Sequence, residues 1–210
     1  TLFFVLPGMA FGQTASVNQF NRLPELVVHF LRCRCGVSNT HYFDDYTVVE
    51  PSFAGSTGQD LLLLLLKGIG IPLSAEKHEP MSLIFVFLGV VTDFTKFAAL
   101  RLVSMKPKPG RLPAVLASIA AVLSARTISH GLAATLRGKL QFLLYTVGHG
   151  SRIGRSVLSA FASVRRGGRV GRHSVPIPHA LLAAISFLTV VLTRLQPRII
   201  DLPAMARAAL

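Results

Sequence analysis

Two aspartates, Asp44 and Asp45, stand side by side inside His41-Tyr-Phe-Asp-Asp-Tyr-Thr-Val-Val49, between one aromatic run and one β-branched run. Adjacent carboxylates repel each other unless a cation lies between them. Their oxygens suit a hard divalent ion, Mg2+ or Mn2+, which also takes substrate phosphates. Two such ions can activate a 3′-hydroxyl and stabilise the leaving pyrophosphate. Aspartate is equally an ordinary turn residue, and on the dipeptide alone the turn is the simpler reading. A second group of possible ligands, Cys33, Cys35 and His41, lacks a fourth member and is a weak zinc signal. Cysteines separated by one residue do not easily reach disulfide geometry, so a reduced, intracellular protein is expected.

The elements that would hold these groups follow from hydrophobic period. Phe11 to Leu31 reads as a Gly-containing turn and a helix, with Val17, Phe20, Leu23, Val27, Val28 and Leu31 on its apolar face despite Pro24. His41 to Val49 reads as a hairpin with Asp44 and Asp45 near its tip. The six leucines after Asp60, a candidate N-cap, predict a buried helix ending at Gly68. Ile69 to Leu73 is expected as a short strand, Ser74 to Pro80 as a polar loop, and Leu83 to Val91 as a core strand with a partner at Phe97 to Val103. Lys106-Pro-Lys-Pro-Gly-Arg111 reads as a stiff basic linker. Beyond it, helices are expected at 113–125, 132–147, 153–164 and 180–195, with an exposed Gly/Arg loop at 165–173.

The charge is divided unevenly. Residues 1–93 hold five Lys+Arg against eight acids, a net of −3, whereas 94–210 hold 17 against Asp201 alone, a net of +16. Such a split points to chemistry in the first half and polyanion binding in the second; a solubilising basic face is the plainer alternative. The longest apolar stretch, Ala180 to Leu192, is shorter than the roughly 20 residues of a bilayer span, so no stable membrane span is expected. No secretory leader is read at Thr1 to Leu6.

Tyr42-Phe43-Asp44-Asp45 resembles the Tyr-x-Asp-Asp signature of reverse transcriptases. Three further segments follow the family's order. Phe11-Gly12 with Phe20 resembles its Phe-Gly turn and helix, Gly70-Ile-Pro-Leu-Ser-Ala-Glu-Lys77 resembles the segment ending in a lysine near the nucleotide, and Phe87-Leu88-Gly89 resembles the start of the primer-grip hairpin. Gly131 to Phe142 is similar to the helix after the palm in retrotransposon polymerases.

The resemblance implies an α+β fold: a partial reverse-transcriptase palm, an antiparallel sheet with packed helices, at 1–105, a linker at 106–111, and a basic α-helical thumb- or connection-like region at 112–210. It implies RNA-directed DNA synthesis with Mg2+ (or Mn2+), an RNA template, a DNA primer or hybrid duplex, and deoxynucleoside triphosphates. Asp44 would be the main metal carboxylate and Asp45 its neighbour; Tyr42 would pack near the primer terminus, and Phe11 and Gly12 would line the nucleotide pocket. Lys77 would sit near the triphosphate, Phe87, Leu88 and Gly89 would grip the primer, and Arg165, Arg166, Arg169 and Arg172 would contact nucleic-acid phosphates.

Two departures matter. Ala10 stands where the family has Pro before Phe-Gly, and the family's first metal aspartate would lie upstream of Phe11, where this sequence has no acid. The sequence is therefore expected to be an N-terminally truncated palm with little or no polymerase activity alone. A non-catalytic nucleic-acid-binding remnant is the first alternative. A peripheral membrane protein, with Ala180 to Leu195 lying in the interface, is the second.

Overall fold

In the computed structural model, which describes residues 14–146, 157–166 and 174–208, the chain combines α-helices with antiparallel sheets. It divides into two compact units, Thr1–Ser82 and Leu83–Leu210.

In the first unit, helix α1 (Thr14–Cys35) continues through Pro24. Pro24 lacks the N–H for an intrahelical bond, yet it is buried on the same face as Val27 and Leu31. Val17 and Phe20 continue that face by spacing but are 41% and 46% exposed, and Leu23 is exposed too. The expected apolar stripe is thus only half used, because the core of this unit, Val27, Leu31, Val37, Leu62 and Leu66, engages only the second half of the helix.

Strands β1 (Ser38–Tyr42) and β2 (Asp45–Val49) form an antiparallel hairpin. Tyr46 and Val48 rest against the core, and burial raises the Tyr46 phenol above its ordinary pKa. Helix α2 (Thr57–Gly68) starts after Ser56 rather than at Asp60. Asp60 instead sits in the first turn, where its carboxylate accepts the Ser56 hydroxyl at 2.8 Å. Glu50 Oε1 accepts the Gly58 N–H at 2.6 Å, placing an anion at the positive end of the helix.

The leucine run does not make a buried helix. At about 100° per residue six consecutive leucines face every side, so Leu62 and Leu66 are buried while Leu64 is exposed. The end of α2 also replaces the strand expected at Ile69 to Leu73. Gly70, at φ 78°, allows its own N–H to reach Lys67 O and the Ile71 N–H to reach Leu66 O at 2.9 Å, which is a Schellman stop. Pro72 then offers no donor.

In the second unit the apolar run from Leu83 folds back on itself instead of forming one core strand. Strands β3 (Ile84–Phe87) and β4 (Val90–Asp93) pair through Phe87 and Val90. Leu88 and Gly89 between them have φ of 51° and 78°, the two positive values of a type I′ turn. A single helical turn, α3 (Phe97–Leu100), occupies part of the expected partner strand, and β5 (Leu102–Pro107) follows it. Asp93 organises the connection: its Oδ1 accepts the Thr95 hydroxyl at 2.7 Å and the Thr95 N–H at 2.8 Å.

Those two bonds, the hydroxyl first, hold the Asp93 carboxyl below its ordinary pKa. A depressed folded value stabilises the fold above the unfolded pKa, and that contribution is lost as pH falls through the folded one. Thr95→Val is expected to raise the Asp93 midpoint toward the ordinary carboxylate value in a 13C NMR titration.

Lys106 and Pro107 close β5, and α4 (Arg111–Ala125) opens after Gly110, so Lys106–Arg111 is a strand-to-helix turn inside the second unit. The region beyond it is not purely helical. After β6 (Thr127–Ser129) and α5 (His130–Thr146) come α6 (Ala162–Arg166), β7 (Ser174–Pro176), α7 (His179–Thr193), β8 (Arg198–Asp201) and α8 (Leu202–Ala208). β7 pairs with β6, and β8 pairs with β5 to complete the sheet β3-β4-β5-β8. The core lies among α4, α5, α7 and residues 157–164, with Leu181, Ile185, Leu188 and Leu192 of α7 fully buried. The other side of α7 exposes Phe187 and Val190, so this helix is amphipathic rather than wholly buried.

Arg111 ties the β3–β4 turn to α5. Its guanidinium carbon lies 4.1 Å from the Phe142 ring centroid, and a Cβ added to Gly89 would fall 2.7 Å from it. Gly89→Ala is expected to lower the stability of this unit by about 1–2 kcal/mol, because φ of 78° is a left-handed conformation that strains any side chain. In urea denaturation an Arg111→Ala background should leave most of that loss in place, because the guanidinium is the movable end of a flexible side chain.

Candidate functional site

The hairpin tip gathers three of the residues singled out from the sequence. Phe43 and Asp44 form its two-residue turn, and Tyr42 pairs directly with Asp45 across it. Phe43 has φ of 54°, a left-handed conformation that is uncommon for a bulky residue and that persists only where the surroundings impose it. The Tyr42 and Phe43 rings meet edge to face at 4.9 Å between centroids. Tyr42, Asp44 and Asp45 are all exposed, and neither aspartate forms an ion pair among the described residues.

The tip is held from α1. His41 precedes Tyr42 on β1, and its Nδ1 lies 3.2 Å from Phe43 O. A carbonyl can only accept, so Nδ1 donates. On the other side of the ring, His41 Nε2 lies 3.3 Å from Glu25 Oε1 of α1. A few residues away Arg32 Nε donates to Asn39 O at 2.8 Å, and Arg32 Nη2 bonds the same carbonyl. Sequence reasoning placed His41 with Cys33 and Cys35 as a possible ligand trio. Both cysteines are free and exposed, Cys33 Sγ faces His29 Nδ1 at 3.7 Å, and His41 is engaged at the tip. The roles of His41, Glu25 and Arg32 were missed; the one available signal was the position of His41 just before the aromatic-acidic run.

Two exposed carboxylates with no ion pair among the described residues fit a hard divalent cation as an incomplete set. Among the described residues no three His, Cys, Asp or Glu side chains form a metal-sized group.

The remaining candidates are spread over both units. Lys77 ends a one-turn 3-10 helix, Ala75–Lys77, and is exposed; this segment is fastened to α2 by the Gln59 amide, which donates to Glu79 O at 2.7 Å. Phe87, Leu88 and Gly89 belong to the second unit, at the β3–β4 turn. Phe11, Gly12, Arg169 and Arg172 lie outside the described residues, and Arg165 and Arg166 end α6.

Charge follows the division into units. Thr1–Ser82 carries five Lys+Arg against seven acids, a net of −2, and Leu83–Leu210 carries 17 against Asp93 and Asp201, a net of +15. None of the described basic side chains of the second unit forms an ion pair among the described residues. No described helix is long and apolar enough to cross a membrane. No protein-family model matches the chain, and no curated protein matches it.

Proposed function

We propose that this chain is part of the palm of an RNA-directed DNA polymerase from a retrotransposon-type element, joined to a basic region that tracks a hybrid duplex. The observation that carries the reading is the two-residue turn, left-handed at Phe43, which exposes Asp44 at the bend and Asp45 opposite Tyr42. The order of the other matched segments supports it: Lys77 follows α2, and a tight hairpin turn then falls at Leu88–Gly89.

Asp44 and Asp45 would hold Mg2+ or Mn2+, which when bound supplies charge neutralisation for nucleotidyl transfer. Tyr42 would pack beside the primer end and Lys77 would offer a cation to the triphosphate. Residues 1–24 of this chain hold no Asp or Glu, so none of them supplies a further carboxylate to a two-metal site. Its isolated form is expected to bind primer–template without extending it. Templated primer extension by the isolated chain would contradict that expectation.

The test is hybrid-duplex binding by fluorescence anisotropy. Mg2+ together with the nucleotide that pairs with the template should tighten binding by the native chain and leave Asp44→Asn unchanged. Equal tightening by paired and unpaired nucleotides, or by both proteins, contradicts the reading. The net charge of +15 in the second unit favours one other reading, a remnant that binds nucleic acid without catalysis. It gives metal-independent binding in the same experiment.

A further inference from the structure

The aspartates sit on a bend that by itself has little reason to be rigid. Phe43 occupies a left-handed conformation at φ 54°, which is strained for a bulky residue, and the flanking strands are only five residues each. One side chain contacts the backbone of the strained residue from outside the turn. His41 Nδ1 reaches Phe43 O at 3.2 Å, while Nε2 faces Glu25 Oε1 at 3.3 Å. The ring is nearly buried, at 9% exposure, although Glu25 is 71% exposed. Tyr46, paired with His41 across the hairpin, flanks it with ring centroids 5.9 Å apart. The imidazole is therefore packed in one orientation, with one nitrogen on the tip and the other on α1.

We propose that His41 is a positioning residue: it fastens the Phe43 turn to α1 and so fixes how Asp44 and Asp45 are presented. The metal consequence of this proposal rests on reading those aspartates as divalent-ion ligands; the tethering itself does not. A group that orients a ligand without touching the ion commonly changes metal affinity by about 10–100-fold. His41 stands one peptide link further out, so the lower end of that range is expected.

The experiment uses the full chain and two readouts. In metal-free solution, amide exchange at Tyr42 and Asp45 should accelerate about five- to tenfold in His41→Ala, the loss of roughly one hydrogen bond, while the Leu66 amide in the core is unchanged. His41→Asn should restore most of the protection, because its side-chain amide nitrogen can take the place of Nδ1 and donate to Phe43 O. Glu25→Ala, at an exposed site, should give a smaller acceleration confined to the tip. With Mn2+ added, the apparent affinity read from paramagnetic broadening at Asp44 and Asp45 should fall about tenfold in His41→Ala and recover in His41→Asn.

Unchanged tip exchange in His41→Ala overturns the proposal. So does acceleration that is equal at Leu66, which would make His41 a general packing residue, or a failure of His41→Asn to restore protection. If the native chain shows no Mn2+ broadening, the polymerase reading falls, and the exchange measurements still decide the tether.

Discussion

Leu31→Ala is expected to unfold the first unit while leaving the second intact. Leu31 is fully buried and belongs, among the described residues, to a core with Val27, Val37, Leu62 and Leu66. Truncating a buried leucine costs about 2–5 kcal/mol, through lost transfer free energy and the cavity left behind. A typical domain has only about 5–15 kcal/mol of total stability, and this unit draws on a much smaller core than the other. Three further contacts depend on α1 staying in place, one from Glu25 to His41 and two from Arg32 to Asn39 O. Amide exchange should therefore rise together across β1, β2 and α2. Protection in α4, α5 and α7, whose cluster of 17 buried residues is separate, should be unaffected. Loss of protection in both units at once would contradict this independence.

Replacing Arg165, Arg166, Arg169 and Arg172 together by Ala or Gln is expected to weaken hybrid-duplex binding strongly, and most at low salt. Each cation that contacts a phosphate releases a counterion, giving a slope of log K against log salt of about −0.9 per contact on B-form DNA. Losing four contacts should make the slope shallower by about 3 to 4 on that scale, although an RNA–DNA hybrid need not share the coefficient. The second unit has no surplus of acids to neutralise these side chains, with only Asp93 and Asp201 against 17 basic residues. Because phosphate contacts position without reading sequence, the loss should be equal on unrelated sequences. Anisotropy titrations across a salt series check both points. An unchanged slope would remove these arginines from the interface.

What could be read from the sequence was local. The hairpin was legible because two acids sit between an aromatic and a β-branched run, both strand-forming, and its strands are formed within twelve residues, although the turn itself is Phe43 and Asp44, and Asp45 opens the second strand. Helices α4, α5 and α7 were legible because their buried residues recur at spacings of three and four, as in Leu181, Ile185, Leu188 and Leu192. The leucine run in α2 misled because it has no period; which leucines are buried is set by the partners Leu31 and Val37, not by the run itself. The turn at Leu88–Gly89 was hidden inside an apolar stretch whose strand character hides the bend. Strand β8 carried no local signal at all: its four residues pair with β5, so Asp201 lies opposite Leu102 almost a hundred residues earlier.

The candidate site was legible as a pair of acids but not as a supported pair. Nothing in the spacing of Glu25, Arg32 and His41 indicates that a helix and a strand meet there, because that meeting depends on how α1 packs on the hairpin. The uncovered half of the α1 stripe, Val17 and Phe20, likewise followed the helical period without the burial that period normally implies.

Asp44 and Asp45 are proposed to take a divalent cation together. Mn2+ titration of the isotope-labelled chain, followed by paramagnetic broadening of amide signals, tests it most directly. Saturable broadening centred on Phe43, Asp44 and Asp45, competed by Mg2+ and lost in Asp44→Asn, is the expected result. Broadening that is absent, or that persists undiminished in Asp44→Asn, would contradict it.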